Sequence, residues 1–222
     1  MIKSDELIKH DIVDELVVDD KIDASNISVE VENGRVTLKG HVPDLQSRYT
    51  AELDAWDVKG VIFVVNDLTV QLSEEIQFPP DGEIKNRVRT TLKWHSLIDD
   101  RNIDIQVENG IVKLTGTVDK FWKIYEVTTE CRKIAGVVLV ENNLAAVPTE
   151  NIEDHVIAEN ITNSISRKIL VSNEDVDVKV EDGNVTLAGN VPSWAAWRAA
   201  YNAAEKIVGI KDIKDNIKIQ NA

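Results

Sequence analysis

Apolar and polar residues alternate strictly in three places along this chain, and each time the alternation is broken at one point by a turn dipeptide. Ile27, Val29 and Val31 lead to Asn33-Gly34, after which Val36 and Leu38 resume the pattern. Alternation with period two marks a half-buried strand, and an Asn-Gly pair between two such runs marks a two-residue type I′ hairpin whose central residues both need positive φ. The turn sets the register. Val31 faces Val36 and Val29 faces Leu38, while the later copies pair Val107 with Val112, Ile105 with Leu114, Val180 with Val185 and Val178 with Leu187. Intervening pairs such as Glu30 with Thr37 and Gln106 with Lys113 are polar, so one sheet face is expected to meet water.

A different period flanks each hairpin. Upstream, Ile8-Ile12-Leu16, Ile84-Val88-Leu92 and Ile157-Ile161-Ile165 step by four, as along one stripe of a helix. Downstream, Ala51-Ala55-Val58, Val127-Cys131-Ile134 and Ala200-Ala204-Ile207 step by four and three, with small residues where a helix presses on a sheet. A last apolar strand follows over Val61–Val70, Val137–Ala146 and Ile210–Ile219. The glycines keep time. Gly34, Gly40 and Gly60 recur as Gly110, Gly116 and Gly136, then as Gly183, Gly189 and Gly209, at offsets of 76 and 73.

The chain therefore predicts an α+β architecture of three tandem modules, each helix-strand-strand-helix-strand. Each has a three-stranded mixed sheet covered on one face by two helices, because strands two and three flank a helix and so run parallel. The modules span residues 1–72, 81–147 and 150–222, with an extended, proline-punctuated linker expected over Gln71–Gly82. A unit of about 70 residues buries only about 60% of its unfolded surface, so each module should lean on its neighbours.

Charge changes this picture in one place. The 222 residues carry a net charge of -14, which opposes attraction to nucleic acid. Residues 1–76, 77–149 and 150–222 contribute -10, 0 and -4. The middle module's first helix is the basic one: Lys85, Arg87, Arg89 and Lys93 stand against Glu83, with Trp94 at the end. Lys85, Arg89 and Lys93 form a stripe beside the core positions, and basic residues beside an aromatic suit an anionic interface. In the first module the same helix bears Asp5, Glu6, Asp11, Asp14 and Glu15.

The repeated pattern of Val-x-Val, turn glycine, Val-x-Leu-x-Gly, helix and Gly-Val-x-x-Val-x-Asn-x-Leu resembles the BON domain. The residues that carry it are Val29, Val31, Gly34, Val36, Leu38, Gly40, Gly60, Val61, Val64 and Asn66. Their later equivalents include Gly110, Leu114, Gly116, Gly136, Val137 and Asn142, and Gly183, Leu187, Gly189, Gly209 and Asp215. Asp215 stands where the motif has Asn and Ile210 where it has Val. The resemblance implies a non-catalytic bacterial module of osmotic and envelope stress that associates with phospholipid or membrane proteins. It brings no catalytic residues and no cofactor.

Other chemistry has little support. His10, His41, His95 and His155 occupy non-equivalent module positions and lack zinc-ligand spacing, so no metal is expected. Cys131 falls on the core face of helix two and reads as a small buried hydrophobe. Asp19-Asp20, Asp99-Asp100 and Glu174-Asp175 lack the spacing of a calcium loop. Trp56, Trp94, Trp122, Trp194 and Trp197 are expected to cap cores or fill interfaces between modules, Trp194 and Trp197 above all. The longest apolar run, Val61 to Val65, is far shorter than the roughly 20 residues of a membrane span.

Residues 1–6 show no apolar leader, which sets the expectation of a cytoplasmic protein; loss of a leader ahead of residue 1 would instead make it periplasmic. The expected function is binding or adaptor work at an anionic phospholipid surface or a membrane protein. The alternative is self-assembly through contacts between modules.

The turn glycines supply a test. Gly34→Val, Gly110→Val and Gly183→Val should each destabilise their own module by about 2 kcal/mol or more, since a β-branched residue at positive φ is strained. Thermal melts of the three variants that match the parent would overturn the type I′ assignment.

Overall fold

A computed structural model of the chain describes residues 3–71, 79–168, 170–171 and 175–220. The first module runs α1 (Asp5–Val18), β1 (Ile27–Glu32), β2 (Arg35–Val42), α2 (Leu45–Asp57) and β3 (Phe63–Val70). The second runs α3 (Asp81–Trp94), β4 (Ile103–Glu108), β5 (Ile111–Val118), α4 (Trp122–Arg132) and β6 (Leu139–Ala146). The third runs α5 (Asp154–Ser166), β7 (Val176–Glu181), β8 (Asn184–Val191), α6 (Trp194–Glu205) and β9 (Asp212–Ile219). Each forms a three-stranded sheet with the hairpin antiparallel and the last strand parallel to the middle one.

The hairpin register is the expected one, with Val31 opposite Val36, Ile105 opposite Leu114 and Val178 opposite Leu187. Both central turn residues have positive φ in every copy: Asn33 51° and Gly34 74°, Asn109 51° and Gly110 75°, Asp182 50° and Gly183 75°. The glycine six residues later has another cause. A Cβ on Gly40, Gly116 or Gly189 would lie 1.9–2.0 Å from the carbonyl oxygen of Asn26, Asn102 or Asp175, where the chain enters the first strand. Glycine lets the two backbones meet.

What ties each hairpin to its first helix is a carboxylate. Asp5 accepts the backbone N–H groups of Asn33 and Gly34 at 2.7 and 2.9 Å. Asp81 does the same for Asn109 and Gly110, both at 2.9 Å, and Asp154 for Asp182 and Gly183 at 2.8 and 2.9 Å. These acids open their helices, where the positive dipole end already favours negative charge. The turn's carbonyl is used as well: Gly34, Gly110 and Gly183 accept from Ile62, Val138 and Lys211. That docking explains why the third strands begin two residues later than the apolar pattern alone predicts.

A second tie joins the last strand to helix two. Asn66 donates to the Arg48 carbonyl at 2.9 Å and accepts from its own strand at Leu68, and Asn142 repeats this with Ile124 and Leu144. Asp215 has no N–H to donate. It accepts instead from Trp197 Nε1 at 2.7 Å and from Ile217 N at 3.0 Å. One acid in place of an amide thus turns an indole toward the strand.

The three cores are the predicted stripes. Ile8, Ile12, Leu16, Ile84, Val88, Leu92, Ile157, Ile161 and Ile165 are all buried against the small residues of helix two and the inner sheet face. The linker differs from expectation at its far end, because Asp81 and Gly82 form the first turn of α3, held there by the clamp on the second hairpin. Residues 72–78 of that linker, and Glu174 of the third acidic pair, lie outside the described residues.

Removing a clamp should loosen one module. Asp81→Ala is expected to cost about 2–3 kcal/mol, the range for charge-assisted hydrogen bonds, with Asp81→Asn in between. Urea melts give the loss, and faster hydrogen exchange at the Asn109 and Gly110 amides locates it. Unchanged exchange there would rule the clamp out.

Candidate functional site

The basic helix carries its charges outward. With Ile84, Val88 and Leu92 turned into the core, Lys85, Arg87, Arg89 and Lys93 are all exposed. Arg87 is engaged by Glu83 at 2.5 Å, an i,i+4 pair. Trp94 neither caps a core nor fills a seam: it is 81% exposed, and Leu97 just beyond the helix is 57% exposed. In the first module the corresponding helix end also exposes Val17 and Val18, but the helix leading to them is acidic. The middle module puts an exposed indole at the end of a helix that carries four outward cations.

Trp56 and Trp194 serve a contact between modules. Leu45, Phe121 and Trp194 are equivalent residues at the start of helix two, being 76 and 73 residues apart. Leu45 joins the core of the second module, Phe121 packs against the core of the third, and Trp194 stacks on Trp56 of the first with ring centroids 6.0 Å apart and planes 12° apart. The contact is head to tail and closes after three modules, as a heterologous interface does when its rotation fits.

Each seam uses different chemistry at the end of helix two. Between the first two modules, the Arg132 guanidinium lies 4.1 Å over the Tyr49 ring, and the Tyr49 and Tyr125 hydroxyls share a hydrogen bond. Burial, first of all, pushes the Tyr49 hydroxyl up to about 12. Between the third and first modules the equivalent residue is Trp56, in an aromatic row that runs Phe63, Trp56, Trp194, Trp197, Tyr201. A groove of about 650 Å³ opens beside this row, with Asp215 and Glu52 at its polar side. Between the second and third modules the residue is Glu205. Burial pushes its carboxyl up, Lys206 and Arg198 draw it down, and Glu126 of the second module pushes it up again.

Of the residues considered for reactive chemistry, Cys131 is fully buried, and burial raises its thiol to about 12. His10 and His155 are exposed beside Asp14 and Glu153. His95 is half-buried, with Nε2 3.4 Å from Glu126. Sequence spacing could not find that pairing, since His95 and Glu126 meet only when α3 packs on α4. Among the described residues no helix is long and apolar enough to cross a membrane.

The BON domain family model matches residues 4–71, 80–148 and 153–221, nearly the whole chain. The protein belongs to the BON domain family, with three tandem copies. It is 26% identical over 147 residues to osmotically-inducible protein Y of Escherichia coli K12, a match covering 64% of this chain and 73% of that protein. It is 30% identical over 115 residues to a protein encoded in the gshII 5′ region of Anaplasma centrale, covering 51% and 76%. Among solved structures, CdsD, a structural protein of the type III secretion system of Chlamydia trachomatis, aligns over 96% of this chain and 92% of its own at 14% identity. The TM-score of 0.28 is too low to carry a shared arrangement.

Ring closure is open to test through the stacked pair. Trp56→Ala should weaken the far-ultraviolet exciton signal of stacked indoles, leaving the part that comes from Trp194 and Trp197 within the third module. An exciton signal unchanged in that variant would place Trp56 away from Trp194.

Proposed function

We propose that this protein is a non-catalytic binding protein of osmotic or envelope stress, and that its middle module docks on anionic phospholipid through α3. The observation that carries the reading is Trp94, which stands 81% exposed at the end of a helix bearing Lys85, Arg89 and Lys93 on its outer surface. An indole is suited to the headgroup level of a bilayer, and each nearby cation contributes about 1 kcal/mol at an anionic surface. Kinship with osmotically-inducible protein Y supports the stress setting.

The alternative of self-assembly through module contacts draws less support, because the helix-two surfaces that would join separate chains already meet within one chain. A membrane protein remains the other occupant of the same basic, aromatic surface.

Flotation with vesicles containing phosphatidylglycerol, at low salt, tests the reading. The parent should float, Lys85→Glu/Arg89→Glu/Lys93→Glu should stay in the dense fraction, and Trp94→Ala should float less. Salt should weaken binding, as expected for screened charges. Equal flotation of parent and charge-reversed variant, or flotation of neither, would sink the lipid reading and favour a protein partner.

A further inference from the structure

His95 caps the C-terminus of α3, and α4 presents Glu126 and Glu130 one helical turn apart against it. One ligand atom from each of the three lies within 4.8 Å of the others, and all three residues are half-buried. Donors on a tetrahedral ion with bonds of 2.0–2.2 Å sit about 3.4 Å apart, so rotation about the terminal torsions of the two glutamates closes the set. We propose that His95, Glu126 and Glu130 form a zinc site in the second module, where the end of α3 meets α4.

The donor set selects the ion. Calcium and magnesium take oxygen ligands, whereas one imidazole and two carboxylates suit zinc. Two carboxylates also balance its charge.

The site belongs to this module alone. Its three positions correspond to Asp19, Thr50 and Asp54 in the first module and to Lys168, Ala199 and Ala203 in the third. Asp19 acts on Asp54 there, so the repeat itself brings the end of helix one to the middle of helix two. Nitrogen and oxygen donors coincide only in the middle copy.

Loading rearranges two contacts. Leu97 N–H donates to His95 Nδ1 at 3.3 Å, which leaves the imidazole proton on Nε2 toward Glu126. Zinc takes the Nε2 lone pair, the proton moves to Nδ1, and the Leu97 contact is given up. Lys133, half-exposed and 2.5 Å from Glu130, swings into water.

Calorimetry with zinc chloride on the full chain, joined to zinc content after dialysis, tests the site. The parent should hold one equivalent and melt at a higher temperature with zinc than with chelator. His95→Asn and Glu130→Gln should each lose at least about tenfold in affinity and the thermal shift, while His10→Asn should lose nothing. Melts in chelator that match the parent show that the variants fold; Glu126→Gln replaces any that does not. No bound zinc in the parent, or equal affinity in the parent and the His95→Asn or Glu130→Gln variant, would overturn the proposal.

Discussion

Each module depends on a carboxylate at the first turn of its first helix that grips two consecutive backbone N–H groups of the hairpin turn. Those N–H groups point the same way because both turn residues are left-handed, and this is why the turn needs Asn-Gly or Asp-Gly. The turn's own carbonyl then receives the chain leaving helix two. Helix one, the hairpin and the third strand therefore meet at one point, and the apolar stripe of the helix is aimed at the sheet by a bond outside the core.

With the modules so alike, their differences concentrate where they touch. Leu45, Phe121 and Trp194 perform the same insertion into the next module, yet the partners at the far end of helix two are Arg132, Glu205 and Trp56. Three copies close the head-to-tail contact within one chain. The aromatic seam further depends on Asp215, whose carboxylate engages the indole of Trp197 in place of the helix carbonyl that an amide would bind. A mild departure from the repeat pattern is thus the source of the groove's chemistry.

The middle module carries both the basic face of α3 and the His95 cluster, and its neutral charge balance sets it apart from its acidic neighbours. The two features lie on different sides of one helix end: Trp94 points to solvent while His95, the next residue, turns inward toward α4. The exposed end of α3 and its packing on α4 are therefore adjacent in the chain.

The sequence by itself determined the modules, the hairpin register and the three buried stripes. Each depends on periods of two, three and four or on a turn dipeptide, and such local rules are written in neighbouring residues. It also set Lys85, Arg87, Arg89 and Lys93 on the outward side of α3, because helical spacing separates outward positions from core positions. Only the tertiary structure decided that Trp94 is exposed while Trp194 is buried, that Asp5 meets a turn 28 residues away, and that His95 meets Glu126. Those outcomes depend on how helices pack across a sheet and how three modules close on one another, and residues far apart in the chain leave no periodic trace of their meeting.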